Sequence, residues 1–164
     1  MTWRAAFIMQ ARHEYAVYRQ LSQQGASFCD QLHYLQMATE KLARGYLANP
    51  SDRQPPAFTH AGIVRMLQHL KSDHAVRHRL GYSSGRAFRN YLDSLLGTAL
   101  RVQSLVPAVA GSTQPNPEYP WLDKATNVIQ VPSRFDFTTF SEFKNARSSR
   151  FLKLIDQLML ALPA

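Results

Sequence analysis

Cysteine is all but absent: Cys29 stands alone among 164 residues, so no disulfide can close within the chain. A small fold stapled by disulfides is excluded, and a reduced, cytoplasmic protein is expected. Long apolar runs are missing as well. Trp3 to Met9 is short and interrupted by Arg4, there is no secretory h-region, and nothing approaches the roughly 20 apolar residues of a membrane helix. Membrane insertion is not expected. Acidic residues are scarce, 11 against 19 Lys and Arg, which leaves a net charge of +8. Such a surplus favours an anionic partner, whether nucleic acid, nucleotide or acidic protein. Nucleotide-cradling glycine loops, serine-hydrolase elbows and zincin helices are absent from the sequence, and no cofactor is expected.

What is present suits one globular domain over residues 1–164: 45% apolar residues, seven Gly and nine Pro, without a low-complexity tail or an internal repeat. Helical periodicity dominates. Trp3, Phe7, Ala11, Tyr15, Tyr18 and Leu21 recur three or four apart and predict a first helix that Gly25 ends. Ser27 can cap a second, with Phe28, Leu32, Leu35, Thr39, Leu42 and Tyr46 on its seam until Asn49 and Pro50. Residues 50–58 read as a loop, and Thr59 as the cap of a third helix carrying Ile63, Leu67 and Leu70, with a break near Ser72 and Asp73. The most regular seam, Phe88, Leu92, Leu95, Ala99, Val102 and Val106, marks a fourth helix closed by Pro107. A last one is expected over about 141–162, burying Phe151, Leu154, Ile155, Leu158 and Leu162.

Between them, Gly111 and the prolines at 115, 117, 120 and 132 forbid a continuous helix from Ala108 to about Phe137. Tyr119, Trp121, Phe135 and Phe137 would be costly to leave in water, at roughly 1.5 to 3 kcal/mol for a large apolar side chain. The segment is therefore expected to lie on the bundle as a strap, with a short extended piece at Val128–Val131. The fold class is all-α: an up-and-down bundle of about five helices with a long proline and aromatic loop before the last.

The order of these features, with the run Met37-Ala38-Thr39-Glu40-Lys41-Leu42-Ala43-Arg44-Gly45-Tyr46-Leu47, the Thr59-His60 opening and the segment Glu118-Tyr119-Pro120, resembles the HEPN family. The resemblance implies a helical bundle, often a homodimer, that acts as a ribonuclease toxin, as the partner of a small nucleotidyltransferase, or as an RNA- or nucleotide-binding module in toxin–antitoxin and defence systems. Catalytic members share an Arg followed four to six residues later by His. Here Arg89-Asn90 is followed by Ser94 where that His would stand. Metal-independent RNA cleavage asks for a group that accepts a proton near operating pH, which imidazole does and serine does not.

The clearest polar signal is the basic segment 65–89, in which Arg65, Lys71, Arg77, Arg79, Arg86 and Arg89 face Asp73 alone, with His69, His74 and His78 among them. Guanidinium forks suit phosphate oxygens, and a helix start near Ser84 adds free N–H groups. Phosphate binding is assigned to these six cations with His74 and His78; a solvated charged face is the plain alternative. His74 and His78 share a helical face without further ligands, so no metal site is expected. The sequence thus points to a non-catalytic module binding RNA, a nucleotide or a nucleotidyltransferase or antitoxin partner. Two alternatives stand beside it: an active ribonuclease using Arg89, Asn90 and either His60 or His78, and an interaction scaffold.

Overall fold

In a computed structural model, residues 1–49, 51, 62–106, 113–140, 143 and 145–163 are described. Thr59, His60 and the expected cap of the third helix lie outside them. The all-α class holds. Among the described residues there are six α-helices, α1 (Trp3–Gln23), α2 (Phe28–Leu47), α3 (Gly62–Leu70), α4 (His74–Arg79), α5 (Gly85–Ser104) and α6 (Ala146–Ala161), with one two-stranded sheet. The sixth helix arises from the expected break at Ser72 and Asp73, where Asp73 accepts the Val76 N–H and restarts the chain as α4. No helix among the described residues is long and apolar enough to cross a membrane.

The seams of α2, α5 and α6 face one core, in which Leu32, Leu42, Phe88, Leu92, Leu95, Phe151 and Leu158 are almost completely buried. The regular seam of α5 therefore closes the bundle itself. On α1 the expected seam is corrected. Ile8, Ala11 and Tyr15 are the buried apolar residues, whereas Trp3 is exposed and Phe7, Tyr18 and Leu21 are only partly covered. The helix is rotated because α2 presses against Ile8: a Cβ at Gly45 would lie 2.7 Å from Ile8 Cγ1 and 3.1 Å from Ile8 N.

The same interface holds the one deeply buried carboxylate of α1. Glu14, only 3% exposed, receives Lys41 Nζ at 3.0 Å and the Gln10 amide at 3.0 Å on its Oε1. Contacts 14 to 41 and 8 to 45 run in opposite order, so α1 and α2 are antiparallel. Within the run from Met37 to Leu47, Lys41 thus joins the neighbouring helix, while Glu40 pairs with Arg44 on its own. Breaking such a buried pair costs about 3–5 kcal/mol, mostly for the charge left behind.

Residues 113–140 form the strap. Strands β1 (Trp121–Asp123) and β2 (Val128–Gln130) pair antiparallel with Leu122 opposite Ile129, and Asp123 closes the turn by accepting the Ala125 N–H and the Thr126 hydroxyl. Trp121 and Phe137 are buried, and Phe135 packs edge-on against both. Tyr119 departs from expectation: it is 56% exposed, because the buried Asn116 takes the Glu118 and Tyr119 N–H groups and turns the chain outward there. Cys29 is buried in the core. Its thiol donates to the Pro117 carbonyl at 3.3 Å, and burial, with Asp30 adding to it, pushes the thiol up to about 11. Alkylation at pH 8 is expected to be slow in the native protein and fast in denaturant; rapid native labelling would contradict the packing of the strap on α2.

Two glycine substitutions are expected to act in opposite directions. Alanine gains up to about 1 kcal/mol of helix propensity over glycine, but at Gly45 it meets Ile8, and overpacking of this kind costs about 1–3 kcal/mol. Gly45→Ala should lower stability in urea unfolding. Gly97→Ala, where nothing lies within 4 Å of the new methyl, should raise it.

Candidate anion-binding site at the start of the fifth helix

The basic segment is folded by two short-range devices. At the end of α4, Gly81 adopts φ +78°, its N–H bonds to the His78 carbonyl at 3.0 Å, and the Tyr82 N–H reaches back to the Arg77 carbonyl at 3.1 Å. This Schellman arrangement uses glycine where a left-handed residue is required. Ser84 then caps α5 by accepting the Ala87 N–H at 3.2 Å. The Gly85 and Arg86 amides, ahead of that bond, have no hydrogen-bond acceptor among the described residues. They carry the positive end of a 20-residue helix.

Two guanidinium groups converge on this end. A Cβ at Gly85 would lie 2.8 Å from Arg77 Nη1 and 3.6 Å from Arg89 Nη1, and the atoms nearest that position all belong to these two side chains. The missing side chain of Gly85 is the space that Arg77 fills. Arg77 Nε is buried and has no hydrogen-bond partner among the described residues. The carboxylates within reach by sequence are engaged elsewhere: Asp73 caps α4 and accepts the Tyr46 hydroxyl at 2.8 Å, and Asp93 pairs with Lys71. Burial and the bond to Asp73 push the Tyr46 phenol well above its ordinary range, so it remains a donor.

The remaining sequence candidates do not form one stripe. Lys71 is neutralised by Asp93, and Arg79 turns toward α6, where it donates to the Ala161 carbonyl at 3.1 Å. Residues 77 and 79 lie about 200° apart on a helix, and buried Val76 sets which way α4 faces. Arg65 on α3, Arg86 on α5 and both His74 and His78 on α4 are exposed. Of the catalytic candidates, Arg89 and Asn90 are exposed on α5 and His78 on α4, and His60 lies outside the described residues. Ser94 donates its hydroxyl proton to the Tyr91 carbonyl at 2.7 Å. Among the described residues no group of three or more His, Cys, Asp and Glu could hold a metal.

Gly85 is the position of this candidate site that sequence reasoning missed; its signal was a glycine directly after a capping serine, one helical turn before Arg89. No family model, curated protein or solved structure matches the chain. The arrangement itself can hold an anion: two charged forks meet beside the first turn of α5, whose leading amides are unpaired, and no carboxylate pairs with either fork among the described residues.

Gly85→Ala tests the geometry. The guanidinium is the far end of a flexible side chain, so stability should change by no more than about 0.5 kcal/mol. The Arg77 Nε–H, buried in the wild type, should exchange faster by NMR in the variant as the group is pushed outward. Unchanged exchange would remove the assigned convergence.

Proposed function

We propose that this protein is an HEPN-like module that holds the phosphate backbone of RNA at the Arg77–Arg89 pair without cleaving it. The observation that carries the reading is the meeting of two guanidinium groups at the positive end of α5 with no counter-charge between them. Two unit charges 4 Å apart repel by about 1 kcal/mol in water and about 4 kcal/mol at the effective dielectric of a protein surface. A bridging phosphate reverses that sign and satisfies the buried Arg77 Nε and the leading amides together. Exposed Arg65 and Arg86 add long-range attraction rather than a fixed contact.

The non-catalytic part of the reading is supported by the chemistry of α5. The residue in the place of the catalytic histidine, Ser94, has its proton committed to a backbone carbonyl, and the atoms closest to the convergence point are all guanidinium. Guanidinium groups stabilise negative charge but do not accept the 2′-hydroxyl proton at neutral pH.

Anisotropy titration of a labelled single-stranded RNA is the test. An Arg77→Ala, Arg89→Ala variant should bind about tenfold or more weakly, and its dependence on salt should flatten by about 0.7 in logarithmic slope for each phosphate that is no longer neutralised. Asp93→Asn, which releases Lys71 toward the same side of α5, should tighten binding. Wild-type affinity in the double variant sinks the proposal. So does growth arrest on expression of the chain alone, if Arg89→Ala relieves it, because that outcome assigns cleavage.

A further inference from the structure

On the other flank of α5, a cleft of about 310 Å³ opens between the Gly81 turn and α6. Gly81, Tyr82, Tyr91, Arg150, Lys153 and Gln157 line it. Its aromatic wall is already assembled: Tyr82 and Tyr91 stack at 5.4 Å and 26°, Tyr82 also leans on Phe88 at 5.0 Å, and the Arg150 guanidinium lies 5.1 Å over the Tyr91 ring. Tyr91 donates its hydroxyl to the Arg150 carbonyl at 3.0 Å, which ties α5 to α6 across the floor. Burial first, and the neighbouring Tyr82 second, push the Tyr91 phenol up to about 12, so that tie is intact through neutral pH.

Arg150 and Lys153 are three residues apart on α6 and so share one face, with Gln157 one turn further. The carboxylate nearest them along α6 is engaged elsewhere: Asp156 binds Arg19 at 2.8 Å. Lys153 has no ion-pair partner among the described residues. The volume is at the small end of ligand clefts, which run from about 300 to 1,000 Å³. It suits one phosphorylated unit rather than a length of strand. Charge narrows the choice. A phosphomonoester carries about −1.5 to −2 at pH 7, with three acceptor oxygens, whereas each diester within a strand carries one negative charge.

We infer that this cleft is a binding site for a phosphomonoester, with the phosphate on Arg150 and Lys153 and the group it is attached to against Tyr82 and Gln157. The same chemistry comes from two sources, the terminal phosphate of an RNA strand or a small phosphorylated molecule. Where the source is a strand end, the inference deepens the RNA reading given above; it rests on different residues, so either can fail alone.

The test uses the full chain and short single-stranded RNAs carrying a phosphate or a hydroxyl at the 5′ or 3′ end, with ribose 5-phosphate as the small-molecule probe. For a strand end, the phosphorylated RNA should bind about tenfold more tightly than its hydroxyl counterpart, the equivalent of one charged hydrogen bond. Exposed Lys153 allows Lys153→Ala without loss of fold; that change should abolish the advantage, and Arg77→Ala, Arg89→Ala should keep it. The advantage should shrink as pH falls from about 7.5 to 5.5, through the second phosphate ionisation near 6. For a small molecule, ribose 5-phosphate should bind in a Lys153-dependent manner while RNA end chemistry makes no difference. If neither probe gives Lys153-dependent binding, the inference is wrong, even where the backbone grip at Arg77 and Arg89 survives.

Discussion

At Gly81 the chain takes a left-handed residue and, with the Tyr82 N–H bonded back to the Arg77 carbonyl, reverses from α4 into α5 within five residues. This reversal distributes the charge of the whole basic segment. It fixes the end of α4 while Val76 is buried, so that Arg77 reaches across the start of α5 and Arg79 reaches toward the end of α6. It also delivers Tyr82 onto Phe88 and Tyr91. A residue with a Cβ at Gly81 would strain the turn whatever space surrounds it, and both surfaces would lose their reference at once.

The rotation of α5 about its axis is the second half of the constraint, and the core sets it. Phe88, Leu92, Leu95, Ala99 and Val102 are all buried to the limit, which leaves the helix no freedom to turn. Arg89 and Tyr91, two residues apart and therefore about 200° apart around the axis, are sent to opposite flanks. One meets Arg77; the other meets Arg150. The strap stiffens the remainder of the helix, since Arg101 near its end lies 4.5 Å over the ring of Phe140. Interior packing decides which charges meet on the surface, a consequence of cores that are close-packed rather than fluid.

That dependence explains how far the sequence can be read. The seams of α2, α5 and α6 follow from periodicity alone, because each helix has a single wide apolar face. The α1 seam does not: the close approach at Gly45 brings Ile8 to the interface and leaves Trp3 outside, and the partner helix, not α1, dictates this. Tyr119 escapes a reading from hydrophobicity for a similar reason, since its exposure is set by the side chain of Asn116 rather than by its own ring. The positive segment is legible as composition. Its division is not, because Lys71 is cancelled by Asp93, some 22 positions away, and Arg79 is turned aside by a carbonyl at 161. Arg150 and Lys153 lie about 60 residues from the tyrosines they join, and no local spacing reports such a meeting.

The proposed grip and the proposed lack of cleavage have one physical root. Guanidinium groups and helix amides hold a phosphate and also stabilise the charge that builds on it during attack, but they supply no acceptor for the 2′-hydroxyl proton. To favour the attacking state, the site would need a proton acceptor that changes charge along the reaction, and Ser94 is held as a donor by the carbonyl of Tyr91. The imidazoles of His74 and His78 are on exposed positions of α4, a helix of six residues whose direction is set by Val76 and the Gly81 turn. A rotation of α4 about its axis would draw Val76 out of the core and Arg77 off Gly85. The features that assemble the proposed anion site therefore also fix the orientation of α4.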